Sequence, residues 1–502
     1  MSRDTGTLIR LSIIIGALFM SIAFLLSRVA PHPEQPLPLS EKIREVIEET
    51  AATAPETVLL GLREALSKLR ITQGGDLEVI RTKVIEERIQ DPGLRELFTA
   101  YATVALNGDR AEESMVFLRT KASEEPPTRF ANEMLGDLLR WEGDQPAAIV
   151  QYLAEAKFKD AHFARRKITT HYVVSDDREG IKVLLNDPAY HMNDSRHWIE
   201  FGVLMKAPAL LMRGVILSDY QNIAPIYWFL SISVAFIWFW IIKKICFVRS
   251  WKSSAFLAGI LGLILGVVST TLTLFAVIWQ ERLWGLKANG EFLNDLLFYI
   301  VGVGVREEVI KLLCFLPLTP WLYRLRDPRA VLLAASTVGL GFAVQENVNY
   351  LSQYGPVTIG RFLTANFLHM GLTAILGFNF CRFLYTPRVE WDRLLGAFVL
   401  VVLAHGLYDT DLPQFQGIHS IIILAGIAFY YFDLVEKHCT PFRQTISPLS
   451  VFVLGTTTLL GCSIVMASLI APSFHTALQL TGEQMIGAMP IMFLYINRFR
   501  HA

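Results

Sequence analysis

At 502 residues with 52% hydrophobic side chains and a positive mean hydropathy, the chain is too apolar to be one ordinary soluble domain. Its 46 basic and 46 acidic residues cancel, so the total charge argues against a nucleic-acid partner, and the placement of the charges carries the information. The five cysteines, Cys246, Cys314, Cys381, Cys439 and Cys462, fall in or beside apolar segments without CxxC or zinc-type spacing, which argues against disulfides and a cysteine metal site.

Leu8–Leu26 is apolar except for Arg10 and long enough to cross hydrocarbon, which needs about 20 helical residues. The Arg28-Val29-Ala30-Pro31 exit suits signal-peptide cleavage poorly, so a retained anchor is expected over residues 1–30.

Residues 31–220 are rich in charge and read as short amphipathic helices, broken at Asp91-Pro92-Gly93, Asn107-Gly108-Asp109, Glu125-Pro126-Pro127 and Glu142-Gly143-Asp144. The Gly-Asp turns at 108 and 143 recur about one tetratricopeptide period apart, with Trp141, Ala147, Tyr152 and Ala156 near positions where such repeats carry aromatic and small residues. Both a plain helical bundle and helix-pair repeats satisfy this pattern. The stretch His197–Leu217 is apolar enough to lie along a membrane surface.

Apolar segments return at Ile223–Ile242, Ala255–Trp279, Phe292–Tyr323, Val331–Leu351, Phe362–Phe383, Leu394–Leu412, Ile418–Leu434 and Leu449–Ile470, with a short one at Met485–Ile496. With the anchor, that makes about ten spans. Lys243, Lys244, Arg249, Lys252, Arg324, Arg326, Arg329, Arg382, Arg388, Arg393, Lys437, Arg443, Arg498 and Arg500 fall in alternate connections, whereas the opposite short loops hold Arg282, Lys287 and Arg361. The positive-inside rule then predicts a cytoplasmic amino terminus, an extracytoplasmic 31–220 domain and a multi-pass protein of the cell (inner) membrane. The expected fold class is all-α, a polytopic transmembrane helical bundle with an extracytoplasmic all-helical, tetratricopeptide-like domain. Its membrane part divides into a core at 221–440 and C-terminal helices at 441–502.

Ionisable residues at bilayer depth cost several kcal/mol, so they face a partner or a wet cavity. Four successive spans carry them: Glu307, Glu308 and Lys311; Glu346 and Asn347; His369; His405 and Asp409. Counted from the expected cytoplasmic arginines Arg324, Arg329, Arg382 and Arg393 in turn, Glu308, Glu346, His369 and His405 lie 12 to 17 residues up their spans. At the helical rise that is about 18–26 Å, which sets them at one level in antiparallel neighbours. His405 and Asp409, like Glu307 and Lys311, are four apart and share a helical face, and Phe342, Glu346 and Tyr350 form one stripe. Gly339, Gly341, Gly371 and Gly377 would let backbones approach nearby. Each element alone also reads as packing: Glu308 with Lys311 as a buried ion pair, His369 as a core histidine, His405 with Asp409 as a packing hydrogen bond. Together in one layer they read as a site.

At these residues the sequence resembles the PrsW family of intramembrane proteases, which belongs with the CAAX-processing and bacteriocin-processing membrane endopeptidases. The resemblance rests on Glu307-Glu308-x-x-Lys311, Phe342-x-x-x-Glu346-Asn347-x-x-Tyr350, His369 and His405-x-x-x-Asp409, in that order, and covers roughly residues 220–440. CAAX-type relatives usually carry arginine one place after the lysine position and histidine at the place of Glu346, so the departure favours the PrsW branch. The resemblance implies an intramembrane endopeptidase acting on another membrane protein, associated in relatives with cleavage of an anti-sigma factor.

Peptide hydrolysis needs an activated water, a stabilised oxyanion and a proton for the leaving amine. Glu307 or Glu308 is the expected base, with Lys311 keeping its partner ionised; His405, oriented by Asp409, together with His369 and Asn347, is expected to stabilise the oxyanion or pass a proton. Metal-free, glutamate-driven chemistry is preferred, with zinc held by Glu346, His369 and His405 as the alternative. The competing classes are an ion-coupled secondary transporter, against which the apolar segments hold no second Glu-Glu or Glu-Asn set to pair with the first, and a receptor or scaffold whose polar layer only fixes helix packing. The expected partners are the bilayer and a membrane-protein substrate; the sequence sets no oligomeric state.

Overall fold

The structure is a computed structural model and describes residues 3–29, 55–72, 80–191, 195–221, 223–248, 250, 253–410, 418–439, 446–470 and 473–499. Ala30 and Pro31 of the anchor exit, Leu412, and the basic residues Arg249, Lys252, Arg443 and Arg500 lie outside the described residues. All regular secondary structure among the described residues is helical. The chain divides into one unit of Met1–Pro33 with Val215–Ala502 and a second of Glu34–Gly214. Helix α1 (Arg3–Val29) belongs to the first.

The second unit is built from α2 (Pro55–Thr72), a π-helical turn at Ile80–Glu86, α3 (Pro92–Ala105), α4 (Ala111–Ser123), α5 (Ala131–Glu142), α6 (Gln145–Glu155), α7 (His162–Val174), α8 (Arg178–Asn186) and α9 (Ser195–Leu204). Two of the four breaks read from the sequence supply helix caps. Asp91 accepts the Leu94 N–H at 2.8 Å with Pro92 in the first turn, and Asp144 accepts the Ala147 N–H at 3.0 Å. Gly143 ends α5 at φ 92°, a left-handed backbone that glycine adopts without Cβ strain. From α3 to α8 each helix packs on the next. The core of Leu97, Phe98, Met134 and Leu138 surrounds a buried polar centre. There the Arg63 guanidinium donates to Asp137 at 2.5 Å and Glu133 at 2.6 Å, and the Tyr152 and Tyr101 hydroxyls donate to Asp137 at 2.7 and 3.3 Å. Burial, and then the Asp137 carboxylate, push both phenols well above their ordinary pKa.

Helix α10 (Pro208–Tyr220) leads into the membrane unit, followed by α11 (Pro225–Ile245), α12 (Ser254–Trp279), α13 (Phe292–Leu297), α14 (Arg306–Phe315), α15 (Thr319–Leu325), α16 (Pro328–Tyr354), α17 (Ala365–Tyr385), α18 (Pro387–Asp409), α19 (Ile418–His438), α20 (Pro448–Ile470) and α21 (Phe474–Phe499). Among the described residues, eight helices are long and apolar enough to cross a membrane: α1, α11, α12 and α16 to α20. The segment expected as a single span at Phe292–Tyr323 is composite. A π-helical stretch at Phe298–Val305 joins α13 to α14, and a 3₁₀ turn at Leu316–Leu318 joins α14 to α15. It falls outside the eight because Arg306, Glu307, Glu308 and Lys311 interrupt its apolar run. In α21, which contains Pro490, the apolar part is Met485–Phe499.

Helix α16 is the hub, packed against α11, α12 and α17, and buried almost throughout. Glycines permit this. A Cβ at Gly341 would stand 2.0 Å from the Leu263 carbonyl oxygen of α12, and one at Gly339 would stand 2.2 Å from the His369 carbonyl oxygen of α17. The anchor helix α1 packs on α20, with the Phe19 ring over Gly461.

Candidate active site

The site begins on α14, directly after the π stretch Phe298–Val305. Gly304 faces the Val402 carbonyl and Gly406 faces Tyr299 and Ile300, so the stretch lies backbone to backbone on α18. The widened turn sets the phase of α14 at the point where Glu307 and Glu308 meet His405, a frequent use of π turns at functional sites. Lys311, one turn further on, is wholly buried.

Around its ammonium the polar layer closes. Lys311 Nζ donates to Glu308 Oε1 at 2.9 Å and Glu307 Oε2 at 3.4 Å, reaches His369 Nδ1 at 3.0 Å and stands 3.9 Å from the centre of the Phe342 ring. An ammonium has only donors, so His369 Nδ1 accepts and its Nε2–H donates to Glu346 Oε2 at 2.7 Å. His405 has carboxylates at both nitrogens: Nδ1 lies 2.8 Å from Glu308 Oε1, and Nε2 lies 3.3 Å from Asp409 Oδ2 and 3.5 Å from Glu307 Oε2. The two imidazole rings stand 5.1 Å apart.

Seven of the eight residues singled out in the sequence therefore share one cluster. Asn347 is the exception. Its Nδ2 donates to Asn366 Oδ1 of α17 at 2.6 Å, and no bond joins it to the imidazoles or glutamates. Glu346 also meets a residue read from sequence only as a loop charge. Arg361, in the 3₁₀ connection Gly355–Phe362, donates from Nη2 to Glu346 Oε2 at 2.6 Å and lies 3.8 Å over the Tyr350 ring. The usable signal was its position, a lone basic residue in a connection otherwise without positive charge, two helical turns before His369.

A cavity of about 310 Å³ opens beside the cluster, with Glu307, Phe342, Glu346 and Tyr350 on one side and Thr270, Thr273, Leu274 and Val277 on another. Its wall is pinned by Asp219, a second group missed from sequence. That carboxylate accepts from Thr271 and Asn349 at 2.8 Å and from Gln345 at 3.1 Å, tying the end of α10 to α12 and α16. Of the acidic pair, Glu307 lines the cavity, whereas Glu308 is fully buried and does not.

Glu307, His369 and His405 offer ligand atoms that all lie within 4.8 Å of one another. The carboxylate of this trio is Glu307 where the sequence had offered Glu346, because Glu346 is engaged by Arg361 and by the far nitrogen of His369. The donor chemistry fits a divalent cation. Each imidazole holds a carboxylate on its other nitrogen, His405 with Glu308 and His369 with Glu346, as metal-binding histidines do.

Replacing Arg361 by Ala is expected to lower turnover about tenfold with little change in KM, the magnitude of one hydrogen bond to a charged group. Arg361→Lys restores part of it. Parallel loss of thermal stability and activity in both variants would reduce Arg361 to a packing role.

A helical bundle that buries acid, histidine and lysine side chains beside a cavity holds the groups that peptide hydrolysis needs, a base and donors for an oxyanion. The comparison with protein families is more specific: residues 250–434, which contain every residue of the cluster, match the family model described as PrsW family intramembrane metalloprotease. The match supports an intramembrane peptidase, similar over these residues to the PrsW type. No curated protein and no solved structure matches the chain.

Proposed function

We propose that the membrane unit cleaves a peptide bond of another membrane protein, with Glu307 as the base that activates water. The supporting observation is that Glu307 reaches the cavity and lies 3.5 Å from His405 Nε2, while Glu308 is held behind it by Lys311 and His405. Water in the cavity gives a proton to Glu307 as its oxygen attacks the scissile carbonyl carbon. The developing oxyanion is met by the His405 Nε2–H, fixed beforehand by carboxylates, while the buried Lys311 ammonium holds Glu307, Glu308 and His369 in place. Glu307 then returns the proton to the leaving amine. Asn347, tied to Asn366, takes no part. The basic residues in alternate connections support a site in the outer half of the bilayer and the 31–220 domain on the same side, where it selects the substrate. In line with the resemblance, the substrate class is a membrane-anchored regulator such as an anti-sigma factor.

The test compares membrane proteomes of cells carrying the native chain or Glu307→Gln. An uncut membrane precursor accumulating in the variant, and rescued by the native chain, is the expected result; identical proteomes under every growth condition tried would remove the protease reading.

A metal is compatible with the family description and with the donor set, and Glu307, His369 and His405 would hold it. When bound, a divalent ion supplies Lewis-acid polarisation of the carbonyl and a more acidic water. The charge balance of the cluster favours the metal-free reading. Glu307, Glu308, Glu346 and Asp409 are faced by Lys311, Arg306 and Arg361, and His405 supplies the remaining positive charge when both its nitrogens carry protons. The Lys311 ammonium also stands among the lone pairs that an ion would use. Purified protein is therefore expected to keep its activity after exhaustive chelation, with no stoichiometric metal by elemental analysis. Loss of activity that zinc restores would assign the role to the ion.

A further inference from the structure

The second unit holds a cavity of about 240 Å³ that the protease reading does not use. Three helices line it: α2 with Leu60, Arg63 and Glu64, α5 with Asp137, Arg140 and Trp141, and α7 with Phe163 and Lys167. The charges do not balance. Arg63 is saturated by Asp137 and Glu133 and lies 3.6 Å over the Phe163 ring, and Asp137 is occupied by Arg63, Tyr101 and Tyr152. Arg140 and Lys167 pair with no carboxylate among the described residues, and the buried Arg140 Nε has no hydrogen-bond partner there. Burial, and then the Arg140, Arg63 and Arg166 guanidiniums, push the Lys167 ammonium below its ordinary pKa against the pull of Asp137. Two cations held together beside an open cavity are missing an anion.

The walls narrow its identity. Trp141 is stacked on Tyr101, Phe163 is fixed under Arg63, and Leu60 stands 57% exposed at the rim. An apolar surface next to two unneutralised cations suits a group with one negative charge and an apolar side chain a few ångströms apart. A phosphate dianion fits less well, because Glu64 and Asp137 also line the cavity and repel the second charge.

We propose that this cavity binds the free carboxyl end of a peptide, with the terminal carboxylate between Arg140 and Lys167 and the terminal apolar side chain against Leu60, Trp141 and Phe163. The site captures a partner by its carboxyl terminus and does not depend on hydrolysis in the membrane unit.

The full chain carrying Glu307→Gln, reconstituted in nanodiscs, is titrated against fluorescein-labelled Gly-Ser-Gly-Ser-Gly-Leu, once as the free acid and once as the carboxyl-terminal amide, with anisotropy as the readout. Saturable binding of the acid at least tenfold tighter than the amide is expected. Lys167→Met, which keeps the side-chain stem beside Phe163, and Arg140→Gln each weaken the acid about tenfold and leave the amide unchanged; Lys167→Arg restores binding. Thermal unfolding of each variant separates lost binding from lost folding. Three results overturn the assignment: equal binding of acid and amide, no saturable binding of either, or displacement by inorganic phosphate at lower concentration than by acetate, which would make the pocket a phosphate site. Because the host already lacks the proposed base, failure here leaves the protease reading intact, and failure of the proteome comparison leaves this one intact.

Discussion

Glu307→Gln is expected to lower turnover by about 10²–10⁴, the range spanned by a general base, without loss of the folded state. Glutamine matches glutamate in shape but cannot take a proton from water. The cluster tolerates the exchange because Lys311 keeps its shorter bond, to Glu308 at 2.9 Å, and His405 keeps Glu308 on Nδ1 and Asp409 on Nε2. A cavity-facing carboxylate is thereby neutralised while the buried framework stays paired. The measurement is kcat and KM on a reconstituted substrate, with thermal unfolding in the same detergent. Glu308→Gln supplies the contrast: it removes the charge that both Lys311 and His405 share, so its unfolding temperature should fall as well. A folded, inactive Glu308→Gln beside an active Glu307→Gln would transfer the role of base to Glu308.

Lys311→Met is expected to be the most destabilising single change in the membrane unit, about 3–5 kcal/mol, as found when one member of a buried ion pair is removed. Methionine matches the lysine stem and lacks the ammonium, so the loss reports the charge together with its contact on the Phe342 ring. Without the ammonium, two buried carboxylates and the accepting nitrogen of His369 lose their common donor. Hydrolysis should vanish with it, since Glu307, Glu308 and His369 lose the donor that sets their places. Adding Glu308→Gln to Lys311→Met removes one uncompensated charge, so part of the stability returns while activity does not. If Lys311→Met unfolds at the native temperature, the ammonium is not what holds the carboxylates in the bundle, and the charge balance drawn for the cluster fails.

Much of the cluster was legible because it is local. Glu307, Glu308 and Lys311 sit three and four apart, as do His405 and Asp409, and helical spacing alone brings those pairs within reach. The level at which four spans carry their ionisable groups was also readable, because helical rise converts residue counts into depth. The roles within the cluster were not. Glu307 and Glu308 are adjacent, and which of them faces the cavity depends on the phase that the π stretch gives α14, a register that hydrophobic periodicity does not report. Asn347 looked like a site residue by its neighbour Glu346, but one position along a helix turns the side chain by about 100°, and it points instead to Asn366.

By itself the sequence determined that the chain is a helical membrane protein, because some twenty consecutive apolar residues have few stable alternatives to a spanning helix. It also determined that charged groups must meet at one depth, because hydrocarbon penalises each one left alone. Which partners they found was set by the packing of the helices. Arg361 folds back from a 3₁₀ connection onto Glu346, and Arg63 reaches Glu133 and Asp137 across 70 and 74 residues of chain. Such pairings depend on how helices dock and on how connections return over them, and neither leaves a period in the sequence.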